Sequence, residues 1–397
     1  MRKSAIYFGA GLLFLLMVWV VFHQSQKQEG TVRSVDAKNQ ASNHGTASLP
    51  KDSLKDLEKE EAKVVLHSPD PLLKTELQAL KARLAQKPDR ETVLRLLREF
   101  AQKAFALNPD AAAAALLEFL HSGEDLSTSL GFVVGEAGLD EWPTLRAFLL
   151  DLLGKIDPEM ASRYALEIVI PSKSSTVEYA VSLQILWNDS GAEKPTPELT
   201  QAWIGLLEKP DWSARPDAAW LESLDFASRI PEATPEFLKA STEWLSRPKE
   251  ASGKAEAAEI VLERMMIRHP GETLRALLEN TQWMNEGRGP SVRASLFARA
   301  DVEDTGQALS LRDYLQHLQP EGKEADSFYQ AFPCHNYGVA PGLSGQPDIP
   351  GAGDIQKNLR ADLLLLQVWK NDPSMAMHRP WFDQAISKIR AILGPKG

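Results

Sequence analysis

The chain has 397 residues, 43% of them hydrophobic and 25% charged, enough apolar material for one large buried core or two smaller ones. Its formal net charge of -10 is spread along the sequence with no lysine or arginine cluster, which argues against a nucleic-acid partner. A single cysteine, Cys334, excludes an internal disulfide framework, a four-cysteine zinc site and paired-cysteine redox chemistry.

Arg2 and Lys3 precede an uninterrupted apolar run from Ala5 to Phe22, eighteen residues long. As a helix this run would reach about 27 Å, close to the ~30 Å of a hydrocarbon core. Residues 1–24 are therefore expected to form a signal-anchor transmembrane helix, with residues 5–22 in the membrane. A removed signal peptide shares the charged start, but its apolar region is shorter and ends in a small-residue cleavage site. Here the run exits into Phe22-His23-Gln24. The positive flank sets the orientation of a single anchor. The expectation is a single-pass membrane protein with a cytoplasmic N-terminus and the bulk of the chain extracytoplasmic, periplasmic if the source is bacterial.

Residues 25–68 are polar and read as a tether. Within them "KDSLKDLEKEEAKVVL" alternates charge signs and puts Leu54, Leu57, Val64 and Val65 on a weak stripe, suiting a short solvated helix.

From residue 69 to residue 332 the pattern is helical almost throughout. In "TVLRLLREFAQKAF" the apolar positions Val93, Leu96, Leu97, Phe100 and Ala104 recur at three- and four-residue spacing, which predicts one buried helical face. No period-two alternation predicts a strand. Helix starts recur as well: Pro109, Pro158, Pro197, Pro216, Pro235 and Pro270 sit where a missing N–H costs nothing, most of them after a capping residue and before an acid. Helices every ~20 residues, paired into units of ~40, have the spacing of stacked helical hairpins.

Through segments such as "NPDAAAAALLEFLHSG" and "IDPEMASRYALEIVI", residues 88 to 320 resemble the HEAT-like α-solenoid repeats. The resemblance implies an all-α array of antiparallel helical hairpins. It also implies a scaffold role with a protein partner, which the expected anchor would place at the cell envelope. A compact bundle and a closed α/α toroid remain open alternatives.

Five tryptophans, Trp187, Trp203, Trp212, Trp220 and Trp244, crowd one region. Helical context assigns Trp203 and Trp220 to the core. Trp212, in the turn-like "KPDWSARP", is the candidate exposed aromatic. The eight histidines show no metal-ligand spacing, and no G-x-x-x-x-G-K or G-x-G-x-x-G occurs, so neither a metal nor a cofactor is expected. "LESLDFAS" shares the Glu-Ser start of the lytic transglycosylase motif but lacks its glycine-rich continuation.

Residues 333–353, "PCHNYGVAPGLSGQPDIPGAG", cannot be helix, and a loop of this length suggests function. Cys334, His335, Asn336 and Tyr337 form its candidate functional group. Adjacent side chains diverge, so His335 is a poor base for Cys334, and the lone thiol is equally a candidate for an intermolecular disulfide in a homodimer. Polysaccharide lyases on α/α toroids use an asparagine, a histidine and a tyrosine of this kind, which keeps an enzyme acting on an envelope or extracellular polysaccharide as the alternative. Helix is expected to resume over 354–397 and pack on the repeat domain.

Overall fold

The computed structural model describes residues 68–135, 138–173, 175–191, 195–214, 216–246, 252–333, 339–340, 349–350 and 354–394. The chain divides into Met1–Val64 and Val65–Gly397, and the second unit holds every described residue. The 5–22 run and the amphipathic stretch around Leu54 to Val65 lie outside the described residues. Among the described residues, no helix is long and apolar enough to cross a membrane.

The unit is mostly helical. Its first half comprises α1 (Pro71–Leu84), α2 (Arg90–Phe105), α3 (Pro109–His121), α4 (Leu145–Ile156), α5 (Pro158–Tyr164), α6 (Thr176–Asp189), α7 (Pro197–Leu207), α8 (Pro210–Ala214) and α9 (Ala218–Leu224). Then follow α10 (Thr234–Ser246), α11 (Ser252–Arg268), α12 (Pro270–Glu279), α13 (Gly289–Phe297), α14 (Thr305–His317), α15 (Lys323–Ala331), α16 (Ile355–Lys370) and α17 (Arg379–Leu393).

Local chemistry explains the helix starts. Asn108, Asp157, Thr196 and Asp217 each accept a hydrogen bond from the backbone N–H three residues on, at 2.8 to 3.2 Å, and each such cap is worth about 1 kcal/mol. Pro109, Pro158, Pro197 and Pro270 open their helices, and Pro235 is the second residue of α10. Pro216 lies two residues ahead of α9, because Asp217 takes the cap. On α2 the buried residues are Val93, Leu96, Leu97, Phe100 and Ala104, the stripe that the spacing predicts.

Two short antiparallel ladders depart from the strand-free expectation. β1 (Val133–Gly135) pairs with β2 (Gly138–Glu141), and β3 (Val339–Ala340) pairs with β4 (Ile349–Pro350). Strands of two to four residues are too short for alternation to register in a sequence. In β2, Glu141 is fixed from outside the hairpin by Arg90, whose Nε lies 3.1 Å from the carboxylate.

Two apolar clusters form the interior, one drawn from residues 73 to 185 and the other from 179 to 389. α6 belongs to both. Val181 and Ile185 face the first, while Tyr179, Leu183 and Leu186 face the second, as a 100° step per residue dictates. Gly154 lets α4 come close to α6: a Cβ there would lie 2.8 Å from Cγ1 of Ile185.

Buried arginines tie successive helices together. Arg146 on α4 donates to both Glu178 oxygens on α6 at 2.9 Å, to the Leu120 carbonyl at 2.6 Å and to the Tyr164 hydroxyl at 3.2 Å. The Glu178 hydrogen bonds, opposed by burial, hold the Arg146 pKa above the ordinary arginine value. Asp225, just after α9, is fully buried against Arg264 of α11, with 2.5 Å between Nε and Oδ1. Arg229 and Arg268 flank the same carboxylate at 3.6 and 3.4 Å.

Candidate functional site

A cavity of about 630 Å³ opens between α12, α13, α14 and α15. Its floor is apolar. Phe297 of α13 stacks on Tyr314 of α14, ring centroids 4.0 Å apart and planes 5° from parallel, beside Leu277, Leu318 and Ala325.

Arg293 anchors this floor. Its Nε and Nη2 donate to Glu324 at 2.7 and 2.6 Å, and Nη1 donates to the carbonyls of Thr281 and Trp283 and to Asn285 Oδ1. Burial opposes the guanidinium charge, and the Glu324 carboxylate outweighs it, leaving the Arg293 pKa above its ordinary value. All three guanidinium nitrogens of Arg293 are thus engaged by the protein itself. Burial, reinforced by the neighbouring Glu324 carboxylate, pushes the Tyr314 hydroxyl far above its ordinary pKa, so it stays protonated.

The rim is polar: Asp313, His317, Gln319, Glu321 and Lys323. His317 Nδ1 donates to the Asp313 carbonyl at 2.7 Å. Lys323 donates to the Gly287 carbonyl at 2.9 Å. Among the described residues lining the cleft there is one histidine and no serine or cysteine. The charged pair at the base is internally neutralised, so the cavity offers an apolar slot with a hydrogen-bonding rim. That arrangement suits a side-chain anchor on a bound segment.

Among the described residues, none of those singled out in the sequence lines the cleft. Cys334, His335, Asn336 and Tyr337 lie outside the described residues. The chain approaches them from Phe332, which is buried between Phe328 and Trp381, and β3 lies against α11, the helix that carries Arg264 and Arg268. Trp212 sits in the short helix α8 and is half-buried. Its ring meets Tyr179 edge-on at 5.3 Å, and Lys209 Nζ lies 5.5 Å from its centroid. Trp203 and Trp220 are fully buried. Glu222 and Ser223 of "LESLDFAS" are buried too, and Ser223 donates to the Ala219 carbonyl at 2.8 Å.

Arg293, Tyr314 and Glu324 belong to no motif in the sequence. One signal was available: Arg293 in "SVRASLF" is four residues before the core residue Phe297 and so shares its face. Among the described residues, no group of three or more histidine, cysteine, aspartate or glutamate side chains could hold a metal ion. No protein-family model, curated protein or solved structure matches this chain.

Proposed function

We propose that this chain is a membrane-anchored scaffold. In this reading residues 5–22 hold it in the bilayer, residues 25–68 tether it, and stacked helical hairpins present a protein-binding surface on the extracytoplasmic face. In a bacterium that face is the periplasm. The observation that carries the reading is the cleft, with its apolar floor, polar rim and internally neutralised ion pair, a chemistry of recognition more than of turnover.

The hairpin array has support of its own. Buried arginine–carboxylate contacts bridge residues 32 apart at Arg146 and Glu178, 39 apart at Arg264 and Asp225, and 31 apart at Arg293 and Glu324. Each spans roughly one helical pair, as a solenoid of repeats requires.

The test uses the full chain in its native membranes, with a photo-crosslinking residue at the exposed cleft position Gln319. Specific protein adducts that are lost when Thr281→Trp plugs the cleft would support the reading. Absence of any protein adduct from Gln319 would overturn it.

A further inference from the structure

The cleft between α12 and α15 leaves charge unmet at its edge. Two rows of side chains at a four-residue step reach it from α14 and the residue after it: Tyr314 and Leu318 are buried in the floor, while Asp313 and His317, one position earlier, stand exposed at the rim. Glu321 follows in the turn that leads to α15, also exposed. Neither the Asp313 nor the Glu321 carboxylate has a hydrogen bond or ion pair among the described residues. Lys323, the one ammonium among the residues lining the cleft, is bonded to the Gly287 carbonyl and also lines the adjoining hollow with Glu259 and Glu263.

A second group in the cleft is unmet as well. The Tyr314 hydroxyl is buried and has no hydrogen-bond partner of good geometry among the described residues. Its neighbour Glu324 gives both oxygens to Arg293. A buried hydroxyl without a partner is unfavourable, and a bound group that donates to it relieves the deficit. An acidic ligand meets the opposite situation. Arg293 is engaged at all three guanidinium nitrogens and Lys323 at Gly287, so neither cation lining the cleft is free to receive it.

Resting on the reading of the cleft as a protein-binding slot, we propose that its occupant is a basic segment of a partner protein, anchored by a tryptophan or tyrosine. The anchor ring lies against Phe297 and Tyr314 and donates its N–H or O–H to the Tyr314 oxygen. Lysine or arginine side chains beside the anchor meet Asp313 and Glu321 at the rim. A slot of about 630 Å³ holds one such ring together with the aliphatic stems that flank it. The net charge of -10 on the whole chain steers a basic partner inward and opposes a second copy.

The experiment uses the full chain in nanodiscs of zwitterionic lipid, with empty nanodiscs as the blank, and three labelled peptides: a tryptophan flanked by lysines, the same tryptophan flanked by glutamates, and an alanine flanked by lysines. Fluorescence anisotropy should show binding of the first alone, weakened by salt and lost in Thr281→Trp. Asp313→Asn combined with Glu321→Gln should weaken it about three- to tenfold and flatten its salt dependence. Both positions are exposed, so the fold is kept. Tyr314→Phe keeps the ring stack and removes the unpartnered hydroxyl, so it should weaken binding about threefold or more without lowering the urea midpoint. The proposal is overturned by equal or tighter binding of the glutamate peptide, by equal binding of the alanine peptide, by unchanged affinity in either variant, by self-association that Thr281→Trp abolishes, or by no binding of any peptide. Glutamate-peptide binding that Thr281→Trp abolishes, or protein adducts at Gln319 without lysine-peptide binding, would remove the basic partner and leave the protein-binding reading standing, so the two fail separately.

Discussion

The Tyr329 hydroxyl donates to Nδ1 of His378 at 2.8 Å, and Nε2 of the same ring donates to the Leu315 carbonyl at 2.6 Å. Three segments are thereby joined by one neutral imidazole in a single tautomer. Burial sets this state. It lowers the His378 pKa, against the pull of the Leu315 carbonyl, and it pushes the Tyr329 pKa up to about 12, with help from Asp326.

Tyr329→Phe should therefore leave Nδ1 of a buried histidine without its donor. The expected cost is about 1 to 3 kcal/mol of stability, measured by urea denaturation. A loss below about 0.5 kcal/mol would mean that water replaces the hydroxyl.

Acid should weaken the fold through two histidines. Burial lowers His269 from 6.5 to about 4, against the favourable influence of Glu272 and Glu232, and His378 moves in the same direction. Above pH 6.5 both are neutral whether the chain is folded or not. Between 6.5 and about 4 the unfolded chain binds a proton at His269 that the folded chain refuses, so stability falls as pH falls through this window. The His269 contribution is on the order of 3 kcal/mol. His269→Gln should flatten the slope of unfolding free energy against pH over that range, and an unchanged slope would contradict the assignment.

Breaking one side of the Arg146–Glu178 pair should cost more than removing both. Glu178→Leu alone leaves a largely buried guanidinium uncompensated, with an expected loss of about 3 to 5 kcal/mol. Arg146→Met combined with Glu178→Leu should recover much of that loss. Guanidinium denaturation of the two single variants and the double variant forms the cycle that measures the coupling.

What the sequence made legible was whatever is decided locally. The stripe on α2 and the prolines that open α3, α5, α7 and α12 follow from spacing and backbone chemistry within a few residues. The pairings of Arg146, Arg264 and Arg293 do not. An arginine between apolar residues reads alike in sequence whether it faces solvent or a carboxylate thirty or more residues away, and only the helix-on-helix packing decides. The cleft was invisible for the same reason, since its floor joins Phe297, Tyr314 and Glu324 from three helices. The segment "ASRYALEIVI" reads as one helix, yet the backbone passes from α5 into a π turn over Ala165–Val169 before Pro171. That widening is a register change which side-chain periodicity does not record.

The double allegiance of α6 has a mechanical meaning. Removing the chain on one side would strip Val181 and Ile185 of their cover, and removing it on the other would strip Tyr179, Leu183 and Leu186. Either cut leaves a helix with one bare oily flank. The two halves are therefore expected to melt as one cooperative unit.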